Sequence, residues 1–285
     1  MNPRIVFFGN SKYSVIDAEA LHARFTLTAA VTLPDYIDKK NTKVVQSPVK
    51  LFANTHTIPV LEVQKITAEI IEKIKAYQPD FLIVADYGLI LPATLLSSPV
   101  YASLNVHHSL LPKYRGPAPA PAAILNGDEV AGVSIIVMSK QVDAGDVLKQ
   151  VTYRLKQDET TDSLLTKLNT LGAQAVIDVI QQYLSGTASP EKQDESQASH
   201  TTYMKRSDGL ISLTDSPILN WRKIRAYGEW PGTYFIAKRN GSEIRVKIRE
   251  ANFADGILSI LRVIPENKKE MSYEDFMRGM SSQKK

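Results

Sequence analysis

The chain has 285 residues, 44% of them apolar and 22% charged, with a net charge of +4. That is longer than one average domain and rich enough in apolar residues to bury a sizeable core. The sequence contains no cysteine, which excludes a disulfide framework, a thiol nucleophile and a thiolate metal site.

Arg4–Phe8 is a short apolar run closed by Gly9, the pattern of a buried first strand, and a helix is expected over residues 14–23. The turn from Gly9 to Ser14 lacks the further glycines of a dinucleotide fingerprint, and no Walker A sequence occurs anywhere. Gly9 is read as a tight turn with its backbone open to a ligand. A second strand is expected over Thr26–Leu33. Residues 34–46, with Lys39, Lys40 and Lys43, show no clear period, and they read equally as a plain surface loop or as a functional insertion. Ser47 and Pro48 are the N-cap and first residue of a helix running to about Asn54. A strand over Pro59–Glu62 follows, then an amphipathic helix over residues 66–77 with Ile66, Ile70, Ile71 and Ile74 on one face. Asp80–Ala85 is the clearest buried strand, and Asp86-Tyr87-Gly88 turns out of it. Strand, helix and strand alternating with short connections predict a Rossmann-like, doubly wound, mostly parallel α/β sheet.

The apolar run from Tyr101 to Leu104 ends in Asn105-Val106-His107. Side chains alternate along a strand, so Asn105 and His107 share one face at a strand end, where open α/β sheets bind ligands. A helix over Pro119–Asn126 and a strand over Gly132–Met138 lead to a second polar cluster, Lys140 to Val147, which contains Asp143, Gly145 and Asp146. Taken alone, that cluster reads as an Asx-type turn. A further strand covers 151–155, and the longest helix covers 164–184. Residues 185–199 are polar and aperiodic, so the chain divides into a domain over 1–184, a linker over 185–199 and a smaller β-rich domain over 200–285. In that last part a helix is expected over 218–227, with strands over 232–236, 244–249 and 257–263. It carries a net +6 against −2 for residues 1–199, an asymmetry that fits either a polyanion partner or a merely solvated surface.

If both polar clusters follow strands of one parallel sheet, Asn105, His107 and Asp143 converge at its C-terminal edge. An amide donor, an imidazole and a carboxylate there suit proton transfer and oxyanion stabilisation. A serine hydrolase using Ser109 lacks the Gly-x-Ser-x-Gly elbow, and adjacent His107 and His108 point apart, which disfavours a metal site.

Asn105-Val106-His107, Ser109-Leu110-Leu111-Pro112 and Tyr114-Arg115-Gly116 together resemble the signature of the tetrahydrofolate-dependent formyltransferases. Val142-Asp143-Ala144-Gly145-Asp146 resembles that family's second motif. Nearly the whole chain takes part. The stretches Pro34-Asp35, Ser47 to Lys50, Tyr87 to Pro92, Gln193 to Ala198, Asp208 to Ile211, Trp230-Pro231-Gly232 and Lys268 to Ser272 resemble members that act on an aminoacyl-tRNA.

The resemblance implies transfer of a formyl group from 10-formyltetrahydrofolate to the α-amine of methionine on initiator tRNA, with no metal. Asn105 and His107 are then donors to the formyl oxygen, and Asp143 holds the imidazole and favours its protonated form. Ser109, Leu110, Leu111 and Pro112 line the folate site, with Tyr87, Gly88 and Ile90 at the pterin. Lys39, Lys40 and Lys43 approach the tRNA acceptor stem. The resemblance also implies an OB-like C-terminal domain, here shortened between about Arg249 and Leu258. His108 stands where the family has a small residue and is read as structural. Arg115 is either a turn residue in a buried ion pair or a ligand contact, and Tyr114, Trp221 and Trp230 are read as core. We expect a cytoplasmic monomer with no membrane partner, since no apolar run spans a bilayer and no secretory pattern opens the chain. Two rivals remain: a formyltransferase acting on an amino sugar or small amine, and a catalytically silent RNA-binding module on this scaffold.

Overall fold

The structure, a computed structural model, describes residues 2–38, 42–239 and 241–281. By Cα proximity it forms two compact units. The first comprises Met1–Gly116, Ala131–Tyr153 and Leu165–His200, and the second Pro117–Val130, Arg154–Leu164 and Thr201–Lys285. No described helix is long and apolar enough to cross a membrane.

The first unit is built on a seven-stranded sheet. Its strands are β1 (Arg4–Phe8), β2 (Thr26–Thr32), β5 (Val60–Glu62), β6 (Phe81–Val84), β7 (Ala102–His107), β8 (Val130–Val137) and β9 (Val147–Arg154), in the order β5-β2-β1-β6-β7-β8-β9. Neighbours among β5, β2, β1, β6 and β7 pair in parallel. The chain builds outward from β1 in one direction, then returns to place β6 on its other side. The loops after β1 and β6 therefore flank the point where strand order reverses, which is where ligands bind in open α/β sheets.

Alternation along the strands gives the sheet two dry faces. Ile5, Phe7, Phe81, Ile83, Leu104 and Val106 join Ala18 and Leu21 of α1 (Ser14–His22), Phe52 of α2 (Pro48–Thr55), and Val176 and Ile180 of α6 (Thr161–Ser185). Val6, Phe8, Leu82 and Val84 join Ile71 and Ile74 of α3 (Ala68–Lys75) and Leu95 of α4 (Ala93–Leu96). Near-continuous apolar strands covered on both faces are what a parallel sheet requires. The cap expected from sequence is present: Ser47 Oγ accepts from Lys50 N–H at 3.0 Å and starts α2.

Three sequence expectations change. Residues 34–46 are not a plain loop, since β3 (Tyr36–Asp38) pairs antiparallel with β4 (Lys43–Val45). Gly9 does not offer its N–H to a ligand, because that group donates to Val31 O at 3.2 Å. β8 runs antiparallel to β7, with His107 opposite Ser134 and Leu104 opposite Val137. The Asp143 segment thus leaves the sheet beside the start of β7, not at the shared C-terminal edge of parallel strands.

The second unit contains α5 (Pro119–Asn126), α7 (Pro217–Ala226) and a four-stranded antiparallel sheet. Its strands are β10 (Tyr234–Arg239), β11 (Ser242–Ala254), β12 (Ile257–Pro265) and β13 (Met271–Ser272), followed by α8 (Tyr273–Ser281). Phe235, Val246, Ile248, Val263 and Phe276 form its core. The expected shortfall between Arg249 and Leu258 is occupied by a long hairpin. β11 passes a register shift at Ile248/Glu250 and continues to Ala254, and Asp255 and Gly256 make the turn at φ 51° and 78°. Positive φ at both central residues matches the twist of a two-residue hairpin. Leu210 bridges Tyr234, so the Asp208–Ile211 stretch lies along β10. Trp230 is 48% exposed and is therefore not a core residue, whereas Trp221 is partly buried and stacks on Phe253 at 6.2 Å.

Candidate active site

Val106 belongs to the first apolar face, so Asn105 and His107 project from the opposite face of β7. His107 is 5% exposed, and Asn105 is only partly buried. The carboxylate reaches them by a detour. Met138 N–H donates to Ser103 O at 2.8 Å, and the chain then folds back until Val137 N–H donates to Asp146 O at 2.9 Å. Gly145 is required at the base of this fold, since a Cβ there would lie 1.7 Å from Val137 O. Asp143 itself adopts φ 53°, a left-handed conformation that Asp tolerates better than most residues.

Asp143 ties the site together. Its Oδ1 accepts from Asn105 Nδ2 at 3.3 Å, and its Oδ2 accepts from Gly116 N–H at 2.8 Å and lies 3.6 Å from His107 Nδ1. The other imidazole nitrogen, Nε2, lies 3.0 Å from Tyr114 O. Burial pushes the His107 pKa below its ordinary value, against the opposing pull of the Asp143 carboxylate and the Tyr114 carbonyl. Desolvation prevails, so the resting imidazole is neutral near neutral pH. The hydrogen-bond geometry places its proton on Nε2, facing the carbonyl, and leaves the Nδ1 lone pair beside Asp143. Asn105 retains a second N–H, which makes it the donor available to an oxyanion without rearrangement.

The folate-site residues expected from sequence divide into two groups. Ser109 is buried and its hydroxyl donates to Lys113 O at 2.6 Å, a direction that does not serve a nucleophile paired with histidine. Leu111 is buried, with its N–H on Ser134 Oγ at 3.1 Å and its carbonyl accepting from Gln150 Nε2 at 2.8 Å. Leu110 and Pro112 are partly buried beside them. On the loop after β6, Gly88 and Ile90 are exposed, while the Tyr87 hydroxyl is buried with no hydrogen-bond partner among the described residues, and its pKa is pushed up to about 12 by that burial. Of the expected tRNA contacts, Lys43 is exposed at the start of β4, and Lys39 and Lys40 lie outside the described residues.

Sequence reasoning passed over several partners. Asp86 Oδ1 faces His108 Nδ1 at 3.4 Å, and its Oδ2 accepts from Ser11 Oγ at 2.8 Å, linking the loops after β6, β7 and β1. Arg115 resolves as a buried ion-pair residue. It is 1% exposed, with Nη2 at 2.7 Å and Nη1 at 2.9 Å from the Glu195 carboxylate. The Tyr114 carbonyl and Gly116 N–H are backbone groups, which residue type cannot flag. Among the described residues no group of three or more His, Asp or Glu could hold a metal ion.

Comparison with known proteins identifies the family. Residues 4–180 match the formyl transferase family. A methionyl-tRNA formyltransferase of Chloroflexus aggregans is 38% identical over 233 residues, covering 81% of this chain and 75% of its own. Another, of Bacillus licheniformis, is 33% identical over 305 residues and covers 98% and 96% of the two chains. The fold is similar to a Helicobacter canadensis N-formyltransferase solved with folinic acid and dTDP-3-aminofucose, at TM-score 0.66 and 18% identity over 90% of this chain and 89% of that one. With a family match over most of the first unit and full-length relatives above 30% identity, the chain belongs to the formyl transferase family, in its methionyl-tRNA formyltransferase branch.

Proposed function

We propose that the chain transfers the formyl group of 10-formyltetrahydrofolate to the α-amino group of methionyl-initiator tRNA, acting in translation initiation as a cytoplasmic monomer. The observation that carries the reading is the meeting of Asn105, His107 and Asp143 around one point, Asp143 lying within 3.6 Å of both partners. Full-length similarity to methionyl-tRNA formyltransferases supports the acceptor.

Bound 10-formyltetrahydrofolate supplies an activated formyl carbon, and the residues of this chain supply the rest. The free N–H of Asn105 donates to the formyl oxygen as negative charge gathers there, a kind of contact worth about 2.7–4 kcal/mol in the transition state. The attacking α-amine must lose a proton, and the Nδ1 lone pair of His107 takes it. The Asp143 carboxylate stabilises the cation so formed. Once charged, His107 can release Nε2 from Tyr114 O and become the second donor to the oxyanion; as the formyl C–N10 bond then breaks, the proton taken from the amine passes from His107 to N10 and tetrahydrofolate leaves. Exposed Gly88 and Ile90 on the loop after β6, beside half-buried Tyr87, offer an apolar edge that fits a flat pterin. Ser109 to Pro112 form the facing wall, Lys43 with Lys39 and Lys40 meets the acceptor stem, and the basic residues from 200 onward form the tRNA-binding domain.

An N-formyltransferase in complex with a dTDP-amino sugar shares the fold, so acceptor identity is the point to test. Methionyl-tRNA and a nucleotide-linked amino sugar offered together with 10-formyltetrahydrofolate should yield formyl-methionyl-tRNA alone. Formylated sugar as the main product would overturn the reading.

A further inference from the structure

Residues 191–199 form a strap across both loops of the site. Glu191 and Val147 exchange backbone hydrogen bonds at 2.7 and 2.8 Å, and Ser199 O accepts from Arg115 N–H at 2.8 Å. Between these anchors lies Gln193, and all four hydrogen-bonding positions of its amide are in use. Its Oε1 accepts from Arg115 Nε at 3.0 Å and from Nη2 at 2.8 Å, and its Nε2 donates to Asp143 O at 2.8 Å and Gly145 O at 2.7 Å. One side chain thus joins the two segments that place the site. On one side is the 114–116 turn, whose Tyr114 carbonyl meets His107 and whose Gly116 N–H meets Asp143. On the other is the loop that carries Asp143.

We propose that Gln193 is a positioning residue for formyl transfer, its amide clamping the Asp143 loop to the 114–116 turn and so setting Asp143 and His107 relative to Asn105. Side-chain chemistry makes the requirement narrow. A carboxylate at 193 keeps the acceptor for Arg115 but turns a second acceptor toward two carbonyls, and a shorter amide cannot span both loops. The activity readout rests on the formyl-transfer reading, but the geometry does not.

The test compares full-length wild type with Gln193→Glu and Gln193→Ala, the first keeping the side-chain volume should the second fold poorly. We expect kcat to fall about 10–100-fold with KM for both substrates nearly unchanged, the cost of a small misplacement. In an Asp143→Asn background Gln193→Glu should add little, because both changes act through Asp143. A merely structural role would multiply the two losses, and that result overturns the proposal. Independently of activity, the titration of His107 followed by NMR should shift in both variants. The titratable groups around this imidazole are Asp143 from the β8–β9 loop, His108 just after its own strand and Asp86 beyond β6. Wild-type kcat or an unmoved His107 midpoint in Gln193→Glu sinks the clamp. Absence of any formyl product from wild type would instead sink the formyl-transfer reading, and the NMR titration would still decide the clamp.

Discussion

His107 is buried, with one nitrogen 3.0 Å from a carbonyl and the other 3.6 Å from a carboxylate. Its depressed pKa fixes the sign of two pH effects. Protonation removes the base, so kcat/KM should fall on the acid side with a midpoint below the usual histidine value, and Asp143→Asn should move that midpoint lower still. A midpoint at or above the ordinary value would contradict a neutral resting imidazole. For stability, a cation with a depressed folded pKa contributes above its unfolded value and loses that contribution as pH falls toward the folded one. Asp17 works in the opposite sense. It is fully buried with neither carboxylate oxygen hydrogen-bonded among the described residues, and desolvation, with a further push from Asp86, raises its pKa well above the ordinary value. Its proton is favourable at low pH, and the cost of the charge grows as pH rises. Asp17→Asn should therefore raise Tm by a few degrees at pH 8, about 1 kcal/mol or more, and by less at pH 5. Equal Tm changes at both pH values would show that Asp17 takes up no proton on folding in this range, contradicting a raised pKa.

Among the elements, the strap over 191–199 and the 114–116 turn are held by Arg115. Its guanidinium is buried, whereas the Glu195 carboxylate that pairs with it is two-thirds exposed. Removing one partner of a fully buried pair is strongly destabilising, but the exposure of this carboxylate makes the expected loss of stability for Glu195→Ala much smaller. Thermal melting checks this, and no change would mean that Gln193 alone satisfies Arg115. The elements read best from sequence are those whose apolar pattern and punctuation agree. β1 and α5 are found residue for residue, and α2 begins at the Ser-Pro cap. The β3–β4 hairpin is hidden because each strand is only three residues long and its apolar residues Tyr36, Ile37 and Val44 are exposed, so no face periodicity develops. β11 was cut short because a register shift at Ile248/Glu250 breaks its alternation, although Asp255-Gly256 was a readable hairpin signal. In the site, residue type exposed Asn105, His107 and Asp143. The antiparallel course of β8 and the backbone groups of Tyr114 and Gly116 depend on distant pairing that no local pattern encodes.

For the molecule as a whole, charge and chemistry are unevenly distributed along the chain, with a net +6 from residue 200 onward. Binding of tRNA that neutralises phosphates must weaken as salt rises, in proportion to the number of contacts. We predict a steep fall in affinity between low and moderate salt, and a shallower slope for Lys40→Ala with Lys43→Ala, measured by filter binding across a salt series. An unchanged slope would remove those lysines from the interface. The most direct measurement of the central claim is single-turnover formylation of methionyl-initiator tRNA from labelled 10-formyltetrahydrofolate, by wild type and by Asn105→Ala. The account predicts labelled formyl-methionyl-tRNA from wild type and a rate about 10²–10³ lower for the variant at unchanged Tm. Failure of wild type to form product, or equal rates for the two proteins, would contradict it.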